Sequence, residues 1–311
     1  MFSFFRKNKK ESLIDLLPEV EGEYHEDYPL AKYTWLGVGG PADVVFFPKN
    51  EEDLANFMRN KPKSIPMTLL GGGSNLLIRD GGVKGVVVVL KEKAFSEIKL
   101  TSENEIFCGA GATKIGVSRF AQRNNIGGFE FLYTVPGSMG GGVRTNAGCY
   151  GRELKDAITT VNIIDGQGNI KVADLDDLCL EYRRSTFPKD WIITSFVLTG
   201  YKEDGDKIKA TMNEYKEKRN CSQPIGIKTA GSTFKNPRGL KAWELIQKSG
   251  CCDLVIGGAK LSHIHCNFME NFNNATADDI ETLGETIIKK VKKTTGIQLV
   301  WEVKRIGIRK K

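Results

Sequence analysis

Glycine is concentrated in three segments of this chain of 311 residues, which contains 34 glycines. The segments span residues 37–42, 71–75 and 137–151. Glycine has no Cβ, so another group can approach its backbone closely, and successive amides can point together at an anion. The chain must therefore place these segments at turns, which either face a ligand or close tightly at the surface.

The first segment, residues 37–42 (GVGGPA), formally fits the GxGxxA pattern of dinucleotide-binding domains. That pattern requires a strand before it and a helix after it. Here Pro41 and a β-rich run follow the glycines. We therefore reject a Rossmann domain at this position.

The second segment follows the apolar pair Leu69-Leu70 and precedes Leu76-Leu77. Its glycines, Gly71–Gly73, leave the backbone open to a ligand, and Ser74 and Asn75 add side-chain donors. A pyrophosphate fits such a group of donors. The alternative is a tight surface turn, but such a turn rarely has strongly apolar residues on both sides.

The third segment consists of residues 135–142 (VPGSMGGG) and 146–151 (NAGCYG). Asn146 could recognise a ring edge or a hydroxyl of a ligand. Pro136 is incompatible with a G-x-S-x-G nucleophile elbow around Ser138. Two separate segments of this kind suggest one extended ligand with a diphosphate in its middle.

The formal net charge is +7 at pH 7, but nine positive charges lie near the termini. The remainder of the chain carries −2, which is +7 less those nine. A nucleic-acid-binding protein usually has a basic stripe on a folded face, interleaved with aromatic residues. We therefore interpret the basic termini as solvated tails and expect no nucleic-acid partner. The tail residues are Arg6, Lys7, Lys9, Lys10, Lys304, Arg305, Arg309, Lys310 and Lys311.

The longest apolar run, residues 86–90 (VVVVL), is far shorter than the ~20 residues that span a bilayer. The first residues do not resemble a signal peptide. Seven cysteines without regular spacing do not indicate a disulfide framework. We therefore expect a cytoplasmic monomer without membrane insertion.

Hydrophobic periodicity predicts both helices and strands, with helices more frequent after residue 207. We predict helices at 13–17, 51–58, 114–124, 207–219, 242–249 and 277–294, and strands at 43–47, 68–70, 85–90, 106–108, 160–164, 191–198 and 297–306. Strands that alternate with turns between residues 105 and 200 are typical of an α+β fold.

Six motifs resemble, in order, those of the UDP-N-acetylenolpyruvoylglucosamine reductase family, and together they extend over residues 33–307. Six motifs in order are far more specific than any one alone. No large insertion separates the late motifs, so the chain resembles the shorter subtype, which lacks a substrate-covering tyrosine loop. The motifs are Gly37–Asp43, Leu70–Leu77 with Asp80-Gly81-Gly82, Glu130–Gly151, Tyr182-Arg183, Ala230–Pro237 and Trp301–Gly307.

The resemblance implies an α+β fold with an FAD-binding domain of the vanillyl-alcohol-oxidase type over residues 31–204, split into two subdomains near residue 92. Residues 205–298 would form an α/β substrate-binding domain. Residues 1–30 would be a lead-in, and residues 299–311 a C-terminal strand and basic tail. The residues expected to contact FAD are Gly71, Gly72, Gly73, Ser74, Asn75, Pro136, Gly137, Gly140, Gly141, Asn146 and Gly148.

The resemblance also implies a reaction, the NADPH-dependent reduction of UDP-N-acetylglucosamine enolpyruvate to UDP-N-acetylmuramate for peptidoglycan synthesis. Bound FAD would pass hydride from NADPH to the terminal vinyl carbon of the substrate. Negative charge would then build on the neighbouring carbon and spread into the carboxylate. Such a site must stabilise that charge and then protonate the carbon.

The resemblance assigns three catalytic residues. Arg183 would bind the substrate carboxylate with a guanidinium that keeps its charge. Ser232 would donate the proton, for which a hydroxyl suffices because the enolate carbon is a strong base. Glu302 would be protonated or paired with Arg183, since a bare carboxylate repels a developing anion. Without the resemblance, such an arginine is most often a surface residue and an isolated serine a turn or N-cap residue.

Four further residues, Tyr182, Arg219, Lys235 and Asn236, are candidates for binding the nucleotide or the carboxylate of the substrate. The sequence departs from the family pattern at two places. Trp301 stands where the family often has proline, and the lysine that commonly follows the equivalent of Arg219 is absent. These departures concern local shape and substrate contacts.

His263 and His265 have H-x-H spacing, but no carboxylate-rich third ligand is near them in sequence. We therefore expect no metal site. As strand residues the two histidines would share one face, which would pack or line the substrate site.

Two other functions stay open. An FAD oxidase of hydroxy acids or alcohols would share the glycine segments but would not need Ser232 as a proton donor. A non-catalytic nucleotide- or nucleic-acid-binding protein would use the basic tails, bind no flavin and show steeply salt-dependent binding. A yellow protein would exclude the second of these.

Overall fold

The computed structural model describes residues 12–181 and 184–310 of the chain. The first part contains β1 (Glu23–Pro29), β2 (Pro41–Phe47), α1 (Glu51–Asn60), β3 (Met67–Leu70), β4 (Leu76–Ile78) and β5 (Val83–Val89). Four of these strands form a sheet in the order β1-β2-β5-β3, in which only the β1–β2 pair is antiparallel. A strand therefore follows the first glycine segment, as the sequence predicts.

Helix α1 covers this sheet because its apolar residues recur at helical spacing. Phe57 packs on Phe46 of β2, with ring centroids 4.6 Å apart. The Asn50 side chain caps the helix by accepting from the amide of Asp53 at 2.9 Å. The Asp53 carboxylate in turn accepts from the amides of Glu21 and Gly22, which fixes the N-terminal segment against the sheet.

The second part has a five-stranded antiparallel sheet in the order β12-β11-β13-β7-β6. Helix α3 packs against it through buried Val117 and Ala121. The elements are α2 (Lys93–Ser96), β6 (Ile98–Ser102), β7 (Glu105–Gly109), α3 (Lys114–Arg123), β8 (Ile126–Gly127), α4 (Met139–Val143), β9 (Gly148–Cys149), β10 (Arg152–Glu153), β11 (Ile158–Ile164), β12 (Ile170–Ala173), β13 (Ile192–Thr199) and β14 (Tyr201–Lys202).

The third part combines three helices with a small antiparallel sheet of β15, β16 and β17. Its elements are α5 (Gly205–Ser222), α6 (Ala242–Lys248), β15 (Val255–Ile256), β16 (Ala259–Leu261), β17 (Met269–Asn271), α7 (Ala277–Thr295) and β18 (Lys304–Ile306). Helix α7 begins with a capping box between Thr276 and Asp279 and ends at Gly296 with φ of 75°. Its apolar face joins α6 and the small sheet in one core.

The predicted helices are all found, although the first, near Leu13–Leu17, is a 3-10 turn over Ile14–Leu16. The predicted strand 297–306 is wrong in its extent. Trp301 forms an isolated bridge to Phe234, and only Lys304–Ile306 forms a strand, parallel to β4. The segment changes its partner between these two points, so no single ladder can form along it. Within residues 12–181 and 184–310, no helix has both the length and the apolar character needed to cross a bilayer.

Candidate active site

Two glycine loops meet at the carboxyl end of β3, and we call residues 71–75 and 136–141 together the glycine cradle. The amide of Gly72 donates to Ser138 Oγ at 3.2 Å, and Ser74 Oγ donates to the Pro136 carbonyl at 3.4 Å. A Cβ on Gly72 would lie 2.7 Å from the Gly137 Cα, so the two loops touch through their backbones. Glycine is required here because the loops approach each other so closely.

The cradle has unused donors. Among the described residues, the amides of Gly73, Ser74 and Asn75 donate to no acceptor. Gly73 has φ of 62°, and a Cβ there would lie 1.7 Å from the carbonyl oxygen of Tyr33. Three successive free N–H groups in a loop that excludes side chains match the acceptor oxygens of a diphosphate. The residues present therefore fit the diphosphate of FAD.

The second loop of the cradle is held in place mainly by hydrogen bonds that its backbone amides make. Ser138 caps the short helix α4 by accepting from the amide of Gly141 at 3.4 Å. The amide of Gly140 donates to the Ala110 carbonyl at 2.8 Å. A Cβ on Gly140 would lie 3.0 Å from the Ala110 Cβ. Close packing against the loop that follows β7 thus explains why residue 140 is a glycine. The amide of Gly140 already donates to Ala110 and is not free for a ligand.

Asn146 is fully buried and has φ of 40°. Its amide nitrogen donates to Glu153 Oε2 at 2.9 Å and to the Glu181 carbonyl at 3.1 Å, and its oxygen accepts from the Lys155 amide at 3.1 Å. These bonds engage the side chain within the protein, and its contact with a ligand stays a prediction. Gly148 pairs with Glu153 in the hairpin that these bonds stabilise.

Ser232 and Glu302 are brought together by neighbouring extended segments. Ser232 forms a bridge to Phe268, and Phe234, two positions further along, forms a bridge to Trp301. The amide of Glu302 donates to the Thr233 carbonyl at 2.8 Å. Glu302 is therefore bonded to the residue that directly follows Ser232, and both predicted catalytic residues are partly exposed. The chain separates them by 70 positions, so only the fold makes them neighbours.

The same segment is bonded to the glycine cradle. Asn75 Nδ2 donates to the Glu302 carbonyl at 3.4 Å, and the Lys304 amide donates to the Asn75 carbonyl at 3.1 Å. Beyond this point β18 continues parallel to β4. The position of Glu302 is consequently tied to the loop with the free amides.

A buried carboxylate anchors this connection. Glu281 on α7 has a side chain that is 2% exposed, and it accepts from Arg79 through both oxygens at 2.9 Å. Arg305 donates to the same carboxylate at 2.9 Å, and Arg309 lies 3.6 Å from it. Hydrogen bonds from Arg79 hold the pKa of Glu281 below its usual range. The sequence reasoning missed this cluster because its members are far apart along the chain.

Trp301 fits the site although the family often has proline there. Its ring packs on Gly284 of α7, where a Cβ would lie 2.2 Å from the indole. The indole N–H donates to Glu285 at 3.0 Å, and the Arg305 guanidinium lies 4.5 Å from the ring centroid. A glycine on α7 thus provides the space that this residue needs.

Five further predicted site residues differ in what the structure shows of them. Tyr182 and Arg183 lie outside the described residues. Arg219 is on the last turn of α5 and is partly buried. Asn236 accepts from the Ala242 amide at 2.9 Å, so its oxygen stabilises the start of α6. Lys235, two positions after Thr233, is exposed.

His263 and His265 lie in the turn between β16 and β17, not on a strand, so the predicted common face is wrong. His265 Nδ1 accepts from the amide of Asn267 at 3.2 Å. The Asn267 side chain then bonds both backbone groups of Phe234, at 3.0 and 2.9 Å. This turn therefore supports the segment that carries Ser232.

Comparisons with known proteins agree with this geometry. A family model described as the C-terminal domain of UDP-N-acetylenolpyruvoylglucosamine reductase matches residues 223–306. A model described as an FAD binding domain matches residues 42–174. The two models together include the glycine cradle, Ser232 and Glu302.

Relatives match over almost the whole chain. The UDP-N-acetylenolpyruvoylglucosamine reductase of Rickettsia akari is 44% identical over 292 residues, which are 94% of this chain and 98% of the relative. That of Rickettsia bellii (strain RML369-C) is also 44% identical and covers 94% of this chain and 96% of its own length. The crystal structure of the Thermus caldophilus enzyme superposes with a TM-score of 0.79 at 31% identity and covers 92% of this chain and 99% of its own.

The fold is accordingly α+β, with an FAD-binding domain of the vanillyl-alcohol-oxidase type, and the protein is an FAD-containing oxidoreductase. The expectation of FAD as cofactor is confirmed. On the evidence of its motifs, its fold and its relatives, the chain belongs to the UDP-N-acetylenolpyruvoylglucosamine reductase family.

Proposed function

We propose that this enzyme reduces the enolpyruvyl ether of UDP-N-acetylglucosamine to UDP-N-acetylmuramate with NADPH, and that Ser232, Glu302 and Arg183 carry the catalysis. Membership of the reductase family supports the reaction. The observation that carries the residue assignment is the connection of Ser232 and Glu302 to the glycine cradle. The two residues lie on segments that hydrogen bond to each other. The backbone carbonyl of Glu302 also accepts from the Asn75 side chain.

The cradle would hold FAD by its diphosphate, with the amides of Gly73, Ser74 and Asn75 as donors. When bound, FAD supplies the transfer of hydride from NADPH to the substrate. The backbone contacts between Gly72 and Ser138 keep the two loops in register. Other residues of the second loop, Pro136, Gly137 and Gly140, would shape the wall next to the cofactor.

Ser232 would give the proton that completes the reduction. As hydride reaches the terminal carbon of the vinyl group, negative charge moves to the neighbouring carbon and its carboxylate. The Ser232 hydroxyl forms no hydrogen bond within the described residues and is partly exposed, so it is available to donate. A carbon with this much charge accepts a proton from a hydroxyl over a short distance.

Arg183 and Glu302 would stabilise the charge while it exists. A guanidinium binds a carboxylate through two parallel hydrogen bonds and keeps its charge throughout. The Asn146 side-chain amide donates to the carbonyl of Glu181, which lies two positions before Arg183 in the chain. Glu302 would act protonated or paired with Arg183, because a bare carboxylate would oppose the reaction.

Tyr182, Arg219 and Lys235 would bind the nucleotide or the carboxylate of the substrate. Lys235 is exposed on the segment of Ser232, which favours a contact with a phosphate group. Asn236 would contribute mainly by fixing the start of α6. Asn146 and Gly148 would act on the cofactor through the shape of their loop.

We propose a division of the chain into an FAD-binding domain with two subdomains that separate near residue 92, and a substrate-binding domain. Helix α5 packs on the second subdomain, where Tyr150 and Tyr215 stack at 3.9 Å. Gln122 also donates to the carbonyl of Gly205 at 3.1 Å. These contacts favour a boundary after residue 222 in place of 204.

We further propose that the enzyme acts as a cytoplasmic monomer of the shorter subtype. No disulfide links the seven cysteines, all of which lie within the described residues, and this is typical of a reducing compartment. Light scattering of the purified protein would give its mass in solution, and a dimer would contradict this proposal.

The test of the function is NADPH oxidation by the purified protein, followed by its absorbance, with and without UDP-N-acetylglucosamine enolpyruvate. A yellow protein that oxidises NADPH only with this substrate is the expected result. A yellow protein that ignores the substrate would redirect the proposal to another flavin oxidoreductase. A colourless protein that takes up no FAD would contradict it entirely.

A further inference from the structure

Lys114, the first residue of α3, is buried to an unusual degree for a lysine, with 4% of its surface exposed. Its Nζ donates to the carbonyl oxygen of Pro136 at 2.6 Å. Pro136 belongs to the glycine cradle, so the ammonium lies behind one of the two cradle loops.

The position of the ammonium is defined by its neighbours. Ser74 Oγ, from the other cradle loop, donates to the same Pro136 carbonyl. A Cβ on Gly137 would lie 2.6 Å from Ser74 Oγ and 3.4 Å from Lys114 Nζ. The positive charge thus reaches the point where the two loops meet, next to the loop with the free amides.

The rest of the side chain fills a space made by glycine. A Cβ on Gly142 would lie 2.5 Å from the Lys114 Cε and 2.8 Å from the Leu154 Cδ1. The aliphatic stem therefore passes between α4 and Leu154, which directly follows the β9–β10 hairpin. Because of this packing, the Lys114 ammonium cannot reach solvent unless both α4 and the segment of Leu154 rearrange.

The charge of Lys114 is not neutralised within the described residues. Its hydrogen-bond partner is an uncharged carbonyl, and burial lowers its pKa to about 8. The charged groups on the elements packed against it are engaged elsewhere. Arg144, at the end of α4, lies 3.9 Å from the Phe187 ring, and Glu153 pairs with Lys155 at 3.2 Å. A buried ammonium without a counter-charge is stabilised most by an anion that binds on the other side of the loop.

We propose that Lys114 is the buried counter-charge of the FAD diphosphate, which it attracts through the cradle loop and thereby helps to position the cofactor. This rests on the proposed placement of FAD in the cradle. The loop amides provide directed hydrogen bonds, and Lys114 provides net positive charge, which amides lack. The lysine acts through the loop and is a positioning residue in this role.

In this arrangement, binding of FAD is linked to protonation of Lys114. A diphosphate next to Lys114 favours the ammonium, so binding of FAD raises the pKa of Lys114 from its value of about 8 in the free protein. Above that pH, each FAD that binds takes up a proton. The affinity for FAD should therefore fall about tenfold between pH 7 and pH 9.

The experiment measures rebinding of FAD to flavin-free protein by quenching of flavin fluorescence at several pH values between 6.5 and 9.5. Lys114→Met keeps the stem and removes the charge, and we expect about a hundredfold weaker binding at pH 7 with no dependence on pH up to 9. Lys99→Met removes an exposed lysine of the same part of the chain and should behave as the wild type. Ser74→Ala should weaken binding but keep the pH dependence.

Wild-type protein provides a second readout that needs no variant. Calorimetry in buffers of different ionisation enthalpy at pH 8.5 should show uptake of most of one proton per FAD bound. Binding by Lys114→Met with the affinity and pH profile of the wild type would overturn the proposal, as would the absence of proton uptake. Failure of the wild type to bind FAD would overturn both this proposal and the proposed function, whereas loss of the Lys114 effect alone would leave the function standing.

Discussion

The glycine cradle and the segments of Ser232 and Glu302 are built in different ways, although they are bonded to each other. The cradle consists of backbone, and its amides and close loop contacts depend on the absence of side chains. The catalytic segments present side chains, whose positions depend on bridges between residues far apart in the chain. The first kind of site has no room for a side chain at Gly72 and Gly73. The second kind can keep its backbone pairing when a side chain changes, but it loses its chemistry with a single functional group.

The largest effect should follow from Gly73→Ala in the cradle. Its Cβ would lie 1.7 Å from the Tyr33 carbonyl oxygen, and φ is 62°. We expect loss of FAD from the purified protein and a drop in its melting temperature. Gly226→Ala is the matched control, because φ is 70° there but nothing lies within 4 Å of the added Cβ. The control should lose only roughly 1–2 kcal/mol from backbone strain and keep its FAD. Equal behaviour of the two variants would show that the close contact is unimportant.

The next-largest effect concerns Arg183, a proposed catalytic side chain. Arg183→Ala should leave reduction of the flavin by NADPH nearly intact and slow its reoxidation by the enolpyruvyl substrate by about 10³-fold, since the carboxylate loses its charged partner. Stopped-flow absorbance separates the two steps. Arg184→Ala is the control, because that side chain is 66% exposed and should not affect either step. Unchanged reoxidation in Arg183→Ala would remove this residue from the mechanism.

A third prediction tests the anchor between the two sites. Glu281→Gln should destabilise the protein by about 3 kcal/mol in denaturant unfolding, because Arg79 and Arg305 lose a buried carboxylate. Glu285→Gln, whose side chain is 39% exposed, should cost less than about 1 kcal/mol.

The acid dependence of stability should change in the same variant. The folded pKa of Glu281 is lowered, so its contribution is present above the usual value of 4.5 and is lost as pH falls through the folded pKa. Glu281→Gln should therefore reduce the loss of stability below pH 4.5. A variant with the same acid sensitivity as the wild type would contradict this role.

The smallest effect is on the flavin-free protein. Burial lowers the pKa of Lys114 to about 8 from 10.5, so the folded state binds fewer protons than the unfolded state between these values. Stability of the flavin-free protein should rise with pH over that window. Lys114→Met should stabilise it by on the order of 2 kcal/mol at pH 7 and remove this rise. A less stable variant at pH 7 would show that the ammonium has a counter-charge before FAD binds.

The sequence predicted the backbone site better than the side-chain site, for a physical reason. Glycines that exclude a Cβ are adjacent in the chain, as at Gly71–Gly73, so local pattern reveals them. Helix α7 was equally predictable, since Thr276 and its apolar repeat are local signals. Pairing between Phe234 and Trp301, and the cluster around Glu281, result from contacts across long separations. Periodicity contains no information about such contacts.

Other errors have the same origin. The strand predicted at 297–306 is divided because its two ends pair with different parts of the molecule. No local signal indicated that the buried Asn146 amide bonds Glu153 and Glu181, and the contact of Asn146 with a ligand stays a prediction. The family motifs supplied Ser232 and Glu302, and their roles stay predictions.

The most direct test of the proposed catalysis is the rate at which the enolpyruvyl substrate reoxidises NADPH-reduced enzyme in Ser232→Ala, with Ser232→Cys for comparison. Because Ser232 lies outside the cradle, both variants should bind FAD and accept reducing equivalents from NADPH as the wild type does. Reoxidation should be slower by about 10²-fold or more in Ser232→Ala and partly retained in Ser232→Cys, since a thiol can also donate a proton. Reoxidation at the wild-type rate in both variants would contradict the assignment and show that another group protonates the carbon.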